Sequence, residues 1–457
     1  MIAPHPAARL VFAGATLDGA ALAGQARSLA ARLRAAGVAR GGRFGWIGTN
    51  HPAMLAAFFA AAEIGAAMVP FNWRLSEEEL RWIARDAGIA LLVRGPSHAA
   101  ALPGIPGLPD RAEPGAPEGG PMDPLLIGYT SGTTGRPKGA VLTQSAFAAN
   151  AAAARAVFGL APGERVLTVL PMFHVGGLNI QTVPALLHGA GVLLHDRFDA
   201  DAFLDAAERD RPTLSLVVPA VMAALVAHPR WATADLSSLR AVGAGSSEVP
   251  LHLIEAFHAK GVPVQQVYGA TETSPIAIAQ MREEALAAPG SIGRPVPGVE
   301  ARLVPGTGEI AIRGPNVMAG YWGDAAATRA ALDDGWFATG DVGRIDADGR
   351  WWFTDRLKHL IISGGENISP AEVERVLAGA PGVREGAVVG RPDPRWGEVP
   401  VAVVVPAEGF EAARVLAHFE GRLARFKQPR DVVAVEALPR TALGKVAVAE
   451  LRKVVAR

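Results

Sequence analysis

Two hydrophobic periods alternate in the first part of the chain. Leucines recur at helical spacing over residues 20–36. Residues 43–47 form a short apolar run of strand length, and residues 52–64 form a longer apolar run of helical length. The pattern therefore predicts a helix, a strand and a second helix, in that order.

Two polar features mark the ends of elements in this region. Ser76 is followed by three glutamates. A hydroxyl can cap the free N–H groups of a helix, and acids are stabilised near its positive end, so a helix is predicted to begin here. Glu63 interrupts the alanine-rich apolar stretch 52–70, which favours a buried helix over a membrane span.

The central part of the chain has a different pattern. Residues 95–124 are rich in proline and glycine and lack periodicity, which is typical of an irregular surface segment. Beyond residue 160, short apolar runs alternate with helical stretches, which predicts stacked α/β layers with a largely parallel sheet. The predicted strands are residues 165–170, 191–195, 213–218, 239–242 and 264–268.

Hairpin-like runs follow at 309–312 and 343–353, and from about residue 354 the composition becomes charged. Ser369, Pro370 and Glu372 then have the spacing of a capped helix start that is closed by a capping box.

These patterns together predict an α/β fold class. A large multi-layered N-terminal domain with stacked sheets is expected over residues 1–356, and a small α+β C-terminal domain over residues 357–457.

Composition narrows the function classes. Lys plus Arg and Asp plus Glu each number 44, so no charge surplus favours nucleic acid or a membrane surface. The chain has no cysteine, which removes disulfides, thiolate metal sites and cysteine nucleophiles. The N-terminus lacks the pattern of a signal peptide. We therefore expect a cytoplasmic protein with small-molecule partners.

Residues 129–139 read YTSGTTGRPKG and directly follow the strand-like run 125–127. Glycines let a backbone approach phosphates, hydroxyls donate hydrogen bonds, and Lys138 supplies compensating charge, so a polyphosphate-binding loop is predicted. Because Gly139 follows Lys138, the loop is not a Walker A motif, and a P-loop kinase or ATPase is disfavoured.

Further motifs follow in a fixed order. They are PMFHVGG (171–177), YGATET (268–273), TGD (339–341), DRLKHLIISGGENISPAEVE (355–374) and PRTALGK, which ends at Lys445. With the phosphate loop they resemble the acyl-adenylate-forming superfamily, the AMP-binding acyl- and aryl-CoA synthetases, along nearly the whole chain. The resemblance implies an acid–thiol ligase that joins a carboxylate to AMP with release of pyrophosphate, and then transfers the acyl group to a thiol with release of AMP.

The resemblance implies the ATP site and its chemistry. The implied ATP-binding residues are Thr130, Ser131, Gly132, Thr133, Thr134, Gly135, Lys138, Gly245, Ser246, Tyr268, Gly269, Ala270, Thr271, Asp341 and Arg356. Glu272 would coordinate Mg²⁺, a hard cation suited to carboxylate and phosphate oxygens. In the first half-reaction, Lys445 would stabilise the substrate carboxylate and the α-phosphate of ATP as these two anions approach each other. The implied catalytic residues are Lys445, Glu272, Thr271 and His174.

The resemblance also implies a second half-reaction. Lys358 matches the hinge about which the small domain would turn between an adenylation pose and a thioester-forming pose. The implied CoA-binding residues are Gly364, Gly365, Glu366, Phe426, Arg430 and Arg74. Gln428 departs from relatives that have a basic residue there, which puts one phosphate contact in doubt. No carrier-protein domain follows residue 457, so free CoA is the expected acceptor, and a separate carrier protein stays an alternative.

The implied acid pocket has no permanently charged residue. Its members are His174, Val175, Gly176, Asn179, Gly243, Ala244, Gly245, Gly269, Ala270, Pro275 and Ile276. An unpaired buried charge is costly, so the acid should have a neutral tail: medium-chain, alicyclic or aromatic. An o-succinylbenzoate–CoA ligase stays an alternative, although no basic partner for a second carboxylate is evident.

A non-catalytic adenylate-binding relative is disfavoured because Lys138, Glu272, Asp341 and Lys445 are all present. The resemblance leaves a homodimer open, as well as an acetyltransferase and deacetylase acting on Lys445, because acetylation would remove its charge.

Overall fold

The computed structural model describes residues 2–110, 112–113, 115–130, 137–246, 248–363, 366–423, 425–440 and 446–456, with the backbone alone for 358, 366 and 367. Its contacts divide the chain into two compact units. The large unit comprises Met1–Arg302, Ala311–Thr339 and Ile345–Trp352, and the small unit comprises Leu303–Ile310, Gly340–Arg344 and Phe353–Arg457. The domain boundary predicted between residues 356 and 357 stays a prediction.

Among the described residues, the first part of the large unit contains seven strands, which belong to two sheets, and four α-helices. In chain order these elements are β1 (Arg9–Phe12), β2 (Ala15–Asp18), α1 (Gly19–Ala35), β3 (Arg43–Ile47), α2 (Pro52–Ile64), β4 (Ala67–Phe71), α3 (Glu77–Asp86), β5 (Leu92–Arg94), β6 (Pro124–Thr130), β7 (Lys138–Thr143) and α4 (Gln144–Phe158).

Strands and helices then alternate. The elements are β8 (Arg165–Thr168), α5 (Val175–Asn179), α6 (Thr182–Leu187), β9 (Gly191–Leu194), α7 (Ala200–Arg209), β10 (Leu214–Val217), α8 (Pro219–Val226), β11 (Ala241–Gly245), α9 (Leu251–Ala259), β12 (Val264–Tyr268), β13 (Ile278–Ala279), α10 (Arg282–Ala287), β14 (Arg294–Pro295) and β15 (Glu300–Leu303).

Hairpins and the small unit complete the chain. The elements are β16 (Glu309–Arg313), β17 (Gly320–Tyr321), α11 (Ala325–Ala331), β18 (Leu332–Asp333), β19 (Trp336–Ile345), β20 (Trp351–Arg356), β21 (Ile361–Ser363), β22 (Glu366–Ile368), α12 (Pro370–Leu377), β23 (Val383–Asp393), β24 (Gly397–Pro406), α13 (Ala412–His418), β25 (Asp431–Ala434) and α14 (Val448–Val455). Short 3₁₀ turns are found at Pro96–His98, Pro229–Ala232, Thr271–Thr273 and Leu357–His359.

A nine-stranded sheet forms the centre of the large unit, in the order β14-β13-β12-β11-β10-β8-β9-β1-β2. The strands from β12 to β1 in this order are parallel neighbours, so the predicted parallel sheet is present. A second sheet has the order β17-β7-β6-β4-β3-β5. The confirmed α/β fold therefore consists of stacked sheets with helices between them.

Local signals at helix ends explain several of these bounds. Helix α2 begins with proline in its first turn and ends at Gly65, whose φ of 76° is favourable for glycine. Helix α3 has a complete capping box, in which Ser76 Oγ accepts from the Glu79 N–H and the Glu79 carboxylate accepts from the Ser76 N–H. The helix starts predicted at these two places are present.

Helix α2 is buried along nearly its full length, as the sequence predicted for the apolar stretch that contains Glu63. None of the helices in the described part of the chain combines the length and apolar character that crossing a bilayer requires. Strands β1 and β2, which form a hairpin of two four-residue strands, are among the strands that were not predicted. Each strand is too short to show a clear period of two.

A further sheet has the order β15-β16-β19-β18, with β20 paired to β19, and its residues are divided between the two units. The small unit has its own sheet, ordered β22-β21-β24-β23, with β25 on the other side of β24. Its core packs α12 and α13 against this sheet through buried aliphatic residues and Phe419.

One detail of the small unit corrects the sequence analysis. Ser369 does cap α12, because its Oγ accepts from the Glu372 N–H at 3.3 Å. The Glu372 carboxylate does not close the predicted capping box. Both of its oxygens instead accept from Lys427 Nζ at 2.8 Å, because a full positive charge is a stronger donor than a backbone N–H.

Candidate active site

Three buried asparagines hold the loop between β12 and β13. Asn150 and Asn179 are fully buried, and Asn316 is 1% exposed. Their bonds are Ile276 N–H to Asn150 Oδ1 (2.9 Å), Asn179 Nδ2 to Ser274 O (2.6 Å), and Asn316 Nδ2 to Thr273 O and Ile276 O (2.9 Å each). Buried backbone groups are costly unless they are paired, so these amides fix the path of the loop.

The three asparagines also connect separate elements. Asn150 Nδ2 of α4 donates to Asn179 O at the end of α5, at 2.5 Å. The loop is therefore tied at once to α4, to α5 and to the segment before β17. Such a network favours a single conformation of the loop, because breaking any of its hydrogen bonds would leave a buried polar group without a partner.

Glu272 lies at the centre of this loop, in the 3₁₀ turn, and is 8% exposed. Its Oε1 accepts from the Tyr321 hydroxyl at 2.9 Å, and its backbone oxygen accepts from Met318 N–H at 2.8 Å. Burial and the negative charge of Glu272 raise the pKa of Tyr321 above its ordinary value of 10. The phenol therefore stays protonated and keeps donating to the carboxylate.

Lys138 lies over the ring of the same tyrosine, with Nζ 5.2 Å from the centre of the Tyr321 ring. A cation and a buried carboxylate are thus brought to one aromatic side chain. Magnesium is usually bound through one or two protein carboxylates together with phosphates and waters. In the part of the chain that the structure describes, no group of three or more His, Asp or Glu side chains is arranged so that it could hold a metal ion, and Glu272 fits the sparser type of site.

The two ends of the phosphate loop are held together by the pairing of strands β6 and β7. Thr130 and Lys138 are paired across the antiparallel strands β6 and β7, and Thr130 Oγ1 donates to the Lys138 carbonyl at 3.4 Å. A Cβ built on Gly128 of β6 would lie 2.8 Å from Thr271 Cγ2. The turn with Thr271 and Glu272 therefore packs against the strand that leads into the phosphate loop. The predicted residues Ser131, Gly132, Thr133, Thr134 and Gly135 lie outside the described residues.

Glycines border the predicted acid pocket where backbones approach closely. A Cβ on Gly269 would lie 1.8 Å from Pro275 O, and a Cβ on Gly245 would lie 2.4 Å from Val267 O. A side chain at either position would force the backbone apart, so only glycine allows this approach. Tyr268, at the end of β12, is 9% exposed.

The structure brings α5 and the end of β11 together. A Cβ on Gly176 would lie 3.6 Å from Ser246 Oγ. Gly243 and Gly245 face one side of β11, and Ala244 faces the other side because successive residues of a strand alternate. Ala244 is fully buried. Val175 and Asn179 of α5 are buried, and Ala270 is partly buried.

An aromatic cluster lies next to α5. The His174 ring is 4.5 Å from the Phe173 ring, and the Arg74 guanidinium lies 5.1 Å from the Trp73 ring and 5.7 Å from the Phe173 ring. His174 itself is exposed at the N-terminal end of α5. The structure thus places two predicted residues, His174 and Arg74, against one phenylalanine.

Asp341 and Arg356 of the small unit form an ion pair, with 2.7 Å between Arg356 Nε and Asp341 Oδ1. Asp341 is 7% exposed, whereas the Arg356 side chain is 48% exposed. The neighbouring Asp355 of β20 accepts hydrogen bonds from Ser369 Oγ at 2.7 Å and from the Ala371 N–H at 3.0 Å. These bonds connect β20 to the start of α12.

The predicted CoA-binding residues that the structure describes are on the surface of their units. Phe426 is 39% exposed and Arg430 is exposed. Gln428 donates from Nε2 to Phe419 O (3.3 Å) and Leu423 O (2.8 Å). It therefore pairs carbonyls in the turns that follow α13.

Several predictions concern residues that the structure describes only in part or not at all. The backbone of Lys358 lies in the 3₁₀ turn Leu357–His359, and the backbone of Glu366 begins β22 opposite Ser363. Gly364, Gly365 and Lys445 lie outside the described residues.

Sequence reasoning missed Asn150, Asn316 and Tyr321. A lone asparagine in an alanine-rich helix, as at Asn150, is a usable signal, because an uncharged polar residue on a buried helix face needs a specific partner. Tyr321 gave no comparable signal.

The chain belongs to the AMP-binding enzyme family. The family's main domain matches residues 3–322, and the C-terminal domain of AMP-binding enzymes matches residues 372–445. This membership confirms the predicted acyl-adenylate-forming superfamily and its enzyme class, an AMP-forming acid–thiol ligase.

Individual relatives agree with the class. An indoleacetate–CoA ligase of Aromatoleum aromaticum is 48% identical, over 96% of this chain and 94% of its own. A feruloyl-CoA synthase of an Amycolatopsis species is 42% identical, over 99% and 96%. The solved structure of o-succinylbenzoate coenzyme A synthetase from Bacillus subtilis, in complex with ATP and magnesium ion, superposes with a TM-score of 0.87 at 31% identity, over 97% of this chain and 96% of that one. The predicted ATP-dependent ligation of a carboxylic acid to CoA is confirmed at this level.

Proposed function

We propose that this ligase activates an aromatic carboxylic acid with an uncharged tail, at a site built around the loop that contains Glu272. The observation that carries the proposal is the set of contacts from Glu272 to Tyr321 and from Tyr321 to Lys138, held by three buried asparagines. A carboxylate and a cation fixed at one place suit a metal-bound polyphosphate.

In the first half-reaction a carboxylate oxygen of the acid attacks the α-phosphorus of ATP, and the bond to pyrophosphate breaks. Lys138 and Thr130, with the loop between them, bind the β- and γ-phosphates. Glu272 would hold Mg²⁺, which neutralises charge on the departing pyrophosphate, and Thr271 bonds to a phosphate oxygen. The carbonyl and side-chain contacts of the loop orient Glu272 before ATP arrives, so no reorganisation is needed during the reaction.

Tyr268, Gly245 and Ser246 contact the adenine, and Asp341 accepts hydrogen bonds from the ribose hydroxyls. Lys445 bridges the attacking carboxylate and the α-phosphate, where two anions approach each other.

In the second half-reaction the CoA thiolate attacks the acyl carbon, and the bond to AMP breaks. Gly364, Gly365 and Glu366 border the path of the pantetheine arm, and Phe426, Arg430 and Arg74 contact the CoA nucleotide. Lys358 is the hinge between the two poses.

The acid is proposed to be aromatic for two reasons. None of the pocket residues is permanently charged, and a buried charged tail would be left unpaired. Two relatives above 40% identity are named for aromatic acids, indoleacetate and ferulate. Because the chain is similar to a solved o-succinylbenzoate coenzyme A synthetase, o-succinylbenzoate is the second candidate acid.

The test is the CoA-dependent release of AMP and pyrophosphate with a panel of indoleacetate, ferulate, benzoates, cyclohexanecarboxylate, straight-chain acids, malonate and o-succinylbenzoate. A preference for one aromatic, neutral-tailed acid supports the proposal. A preference for o-succinylbenzoate would replace the acid class. Pyrophosphate exchange without CoA turnover would move the acceptor to a carrier protein.

A further inference from the structure

An exposed aspartate, Asp86, is the last residue of α3. Its side-chain Oδ2 accepts a hydrogen bond from the Tyr129 hydroxyl at 2.5 Å. Its backbone oxygen accepts a second one from the Trp322 indole N–H at 3.2 Å. One residue of α3 therefore contacts two parts of the chain that are far apart in sequence.

The two partners of Asp86 also meet at one residue of β7. Tyr129 of β6 is paired with Gly139 across the antiparallel strands. A Cβ built on Gly139 would lie 3.1 Å from Tyr129 Cζ, so the tyrosine ring lies against the glycine. The Trp322 backbone N–H donates to Gly139 O at 2.7 Å. These four residues form a closed circuit of contacts, called the Asp86 junction below.

The Asp86 junction lies directly beside the proposed ATP site. Tyr129, Gly139 and Trp322 are each next in sequence to a residue of that site. The neighbours, in the same order, are Thr130, Lys138 and Tyr321. Adjacent residues share a planar peptide unit, so a shift of the junction moves these neighbours as well. One surface residue is thereby linked to the spacing of the side chains that would bind the phosphates.

The contacts of the junction are of persistent kinds. A phenol that donates to a carboxylate makes a charge-assisted hydrogen bond. Burial and the bond to Asp86 raise the pKa of Tyr129 above its ordinary value of 10, so the phenol stays a donor near neutral pH. Arg43 of β3 holds the other side: its Nε donates to Ala87 O at 2.7 Å, and its guanidinium lies 4.3 Å from the centre of the Trp322 ring.

We propose that Asp86 is a positioning residue of the ATP phosphate site and acts through Tyr129 and Trp322. This inference rests on the proposed function, because it takes Lys138 as a residue that binds the β- and γ-phosphates. In this role Asp86 contacts neither ATP nor the acid. Its loss should therefore weaken the binding of MgATP through the position of other side chains.

The test measures the dissociation constant of MgATP by isothermal titration calorimetry, without acid or CoA, so it does not depend on which acid is used. Asp86→Ala should raise this constant about three- to tenfold, because misplaced side chains lose part of their hydrogen bonding to the phosphates. Loss of a negative charge alone would favour the binding of an anion, so weaker binding cannot be an effect of charge.

Two further variants of α3 separate positioning from other effects. Asp86→Asn keeps an oxygen that accepts from the phenol, and its dissociation constant should be close to that of the unaltered enzyme. Glu78→Ala removes another exposed acid of the same helix and is the matched control, which should bind MgATP like the unaltered enzyme.

Tyr129→Phe tests the same contact from its other partner. The change removes the phenolic oxygen and keeps the ring against Gly139, so the dissociation constant should rise by a factor similar to that of Asp86→Ala. The double variant should show no further rise, because the two changes remove one and the same contact.

The outcomes separate the two proposals. A folded Asp86→Ala enzyme with an unchanged dissociation constant, whatever its unfolding midpoint, would overturn the inference alone. A constant for Asp86→Asn as high as that for Asp86→Ala would overturn the role of the hydrogen bond, and additive effects in the double variant would overturn the route through Tyr129. Where Asp86→Ala does not fold, Tyr129→Phe with an unchanged constant would overturn the inference. An unaltered enzyme that does not bind MgATP would overturn the proposed function and this inference with it.

Discussion

The loop between β12 and β13 and the surface of the small unit present opposite kinds of candidate residues. Glu272 in the loop is 8% exposed, and its carboxylate accepts a hydrogen bond from Tyr321. The loop around it is held by side chains from three other places in the large unit, Asn150, Asn179 and Asn316. Arg356 and Phe426 in the small unit are 48% and 39% exposed. We infer from this difference that the loop of the large unit is organised before substrates bind. We propose that the exposed side chains of the small unit make contacts that change between the two half-reactions.

This comparison predicts which part of the reaction each variant should affect. A change in the organised loop should affect everything that depends on bound ATP. A change in the exposed residues of the small unit should affect one half-reaction at a time.

The largest effect is expected for Lys445→Ala. Loss of the ammonium should lower pyrophosphate exchange by roughly 10²–10³-fold, because it would stabilise charge in the transition state of adenylation. Thioester formation from supplied acyl-AMP should stay largely intact. Lys453→Ala is the control, since that side chain is 70% exposed and pairs only with Glu450 among the described residues. Equal loss of both half-reactions would contradict the division.

Asn150→Leu tests the organised loop. The change leaves the Ile276 N–H and the Asn179 carbonyl without their partners, which should lower the free energy of unfolding by about 2–4 kcal/mol. Pyrophosphate exchange should fall as well, measured at a temperature where the variant is folded. A destabilised enzyme with normal exchange would show that the asparagines support the fold and do not position Glu272.

Tyr321→Phe removes the donor to Glu272 and keeps the ring beside Lys138. We expect a roughly tenfold loss of kcat, together with a higher Mg²⁺ concentration for half-maximal rate, because a hydrogen bond to a ligating carboxylate orients it. A Mg²⁺ titration at saturating ATP measures this. An unchanged Mg²⁺ dependence with a normal unfolding midpoint would remove Tyr321 from the site.

Phe426→Ala should raise KM for CoA by roughly tenfold, the amount expected for one lost aromatic stacking contact. Pyrophosphate exchange without CoA should not change. Trp396→Ala, at another aromatic residue of the small unit that is 39% exposed, should leave both quantities as they are. A similar rise in KM in both variants would point to a general effect of exposed aromatic residues.

The smallest effect concerns His51, which caps α2 through Nδ1, accepting from the Ala53 N–H at 3.1 Å. Burial lowers the pKa of His51 below its ordinary value of 6.5. As the pH falls, the unfolded chain therefore binds a proton at His51 at a higher pH than the folded chain does. The stabilisation of the folded chain by neutral His51 is fully present above pH 6.5 and is lost as the pH falls below 6.5.

His51→Asn keeps a capping acceptor without titrating. The urea midpoint of this variant should fall less than that of the unaltered protein between pH 8 and pH 5.5. An identical fall in both proteins would exclude His51 from the pH dependence.

The elements with strong local signals were the ones that sequence could predict. Strand β3 and helix α2 have the predicted bounds, because the apolar period and the terminal residues there agree with the tertiary environment. The motif order identified the family. The contacts that organise the site join residues far apart in the chain: Asn150 and Ile276 are separated by 126 residues, and Tyr321 and Glu272 by 49. No local pattern records such pairs, so these pairings were found from the structure alone.

The most direct measurement of the central claim is the stoichiometry of products with a preferred aromatic acid, ATP and CoA. The account predicts one AMP, one pyrophosphate and one acyl-CoA per acid consumed, and pyrophosphate exchange with ATP when CoA is omitted. Formation of ADP or phosphate in place of AMP and pyrophosphate, or release of AMP without any thioester, would contradict it.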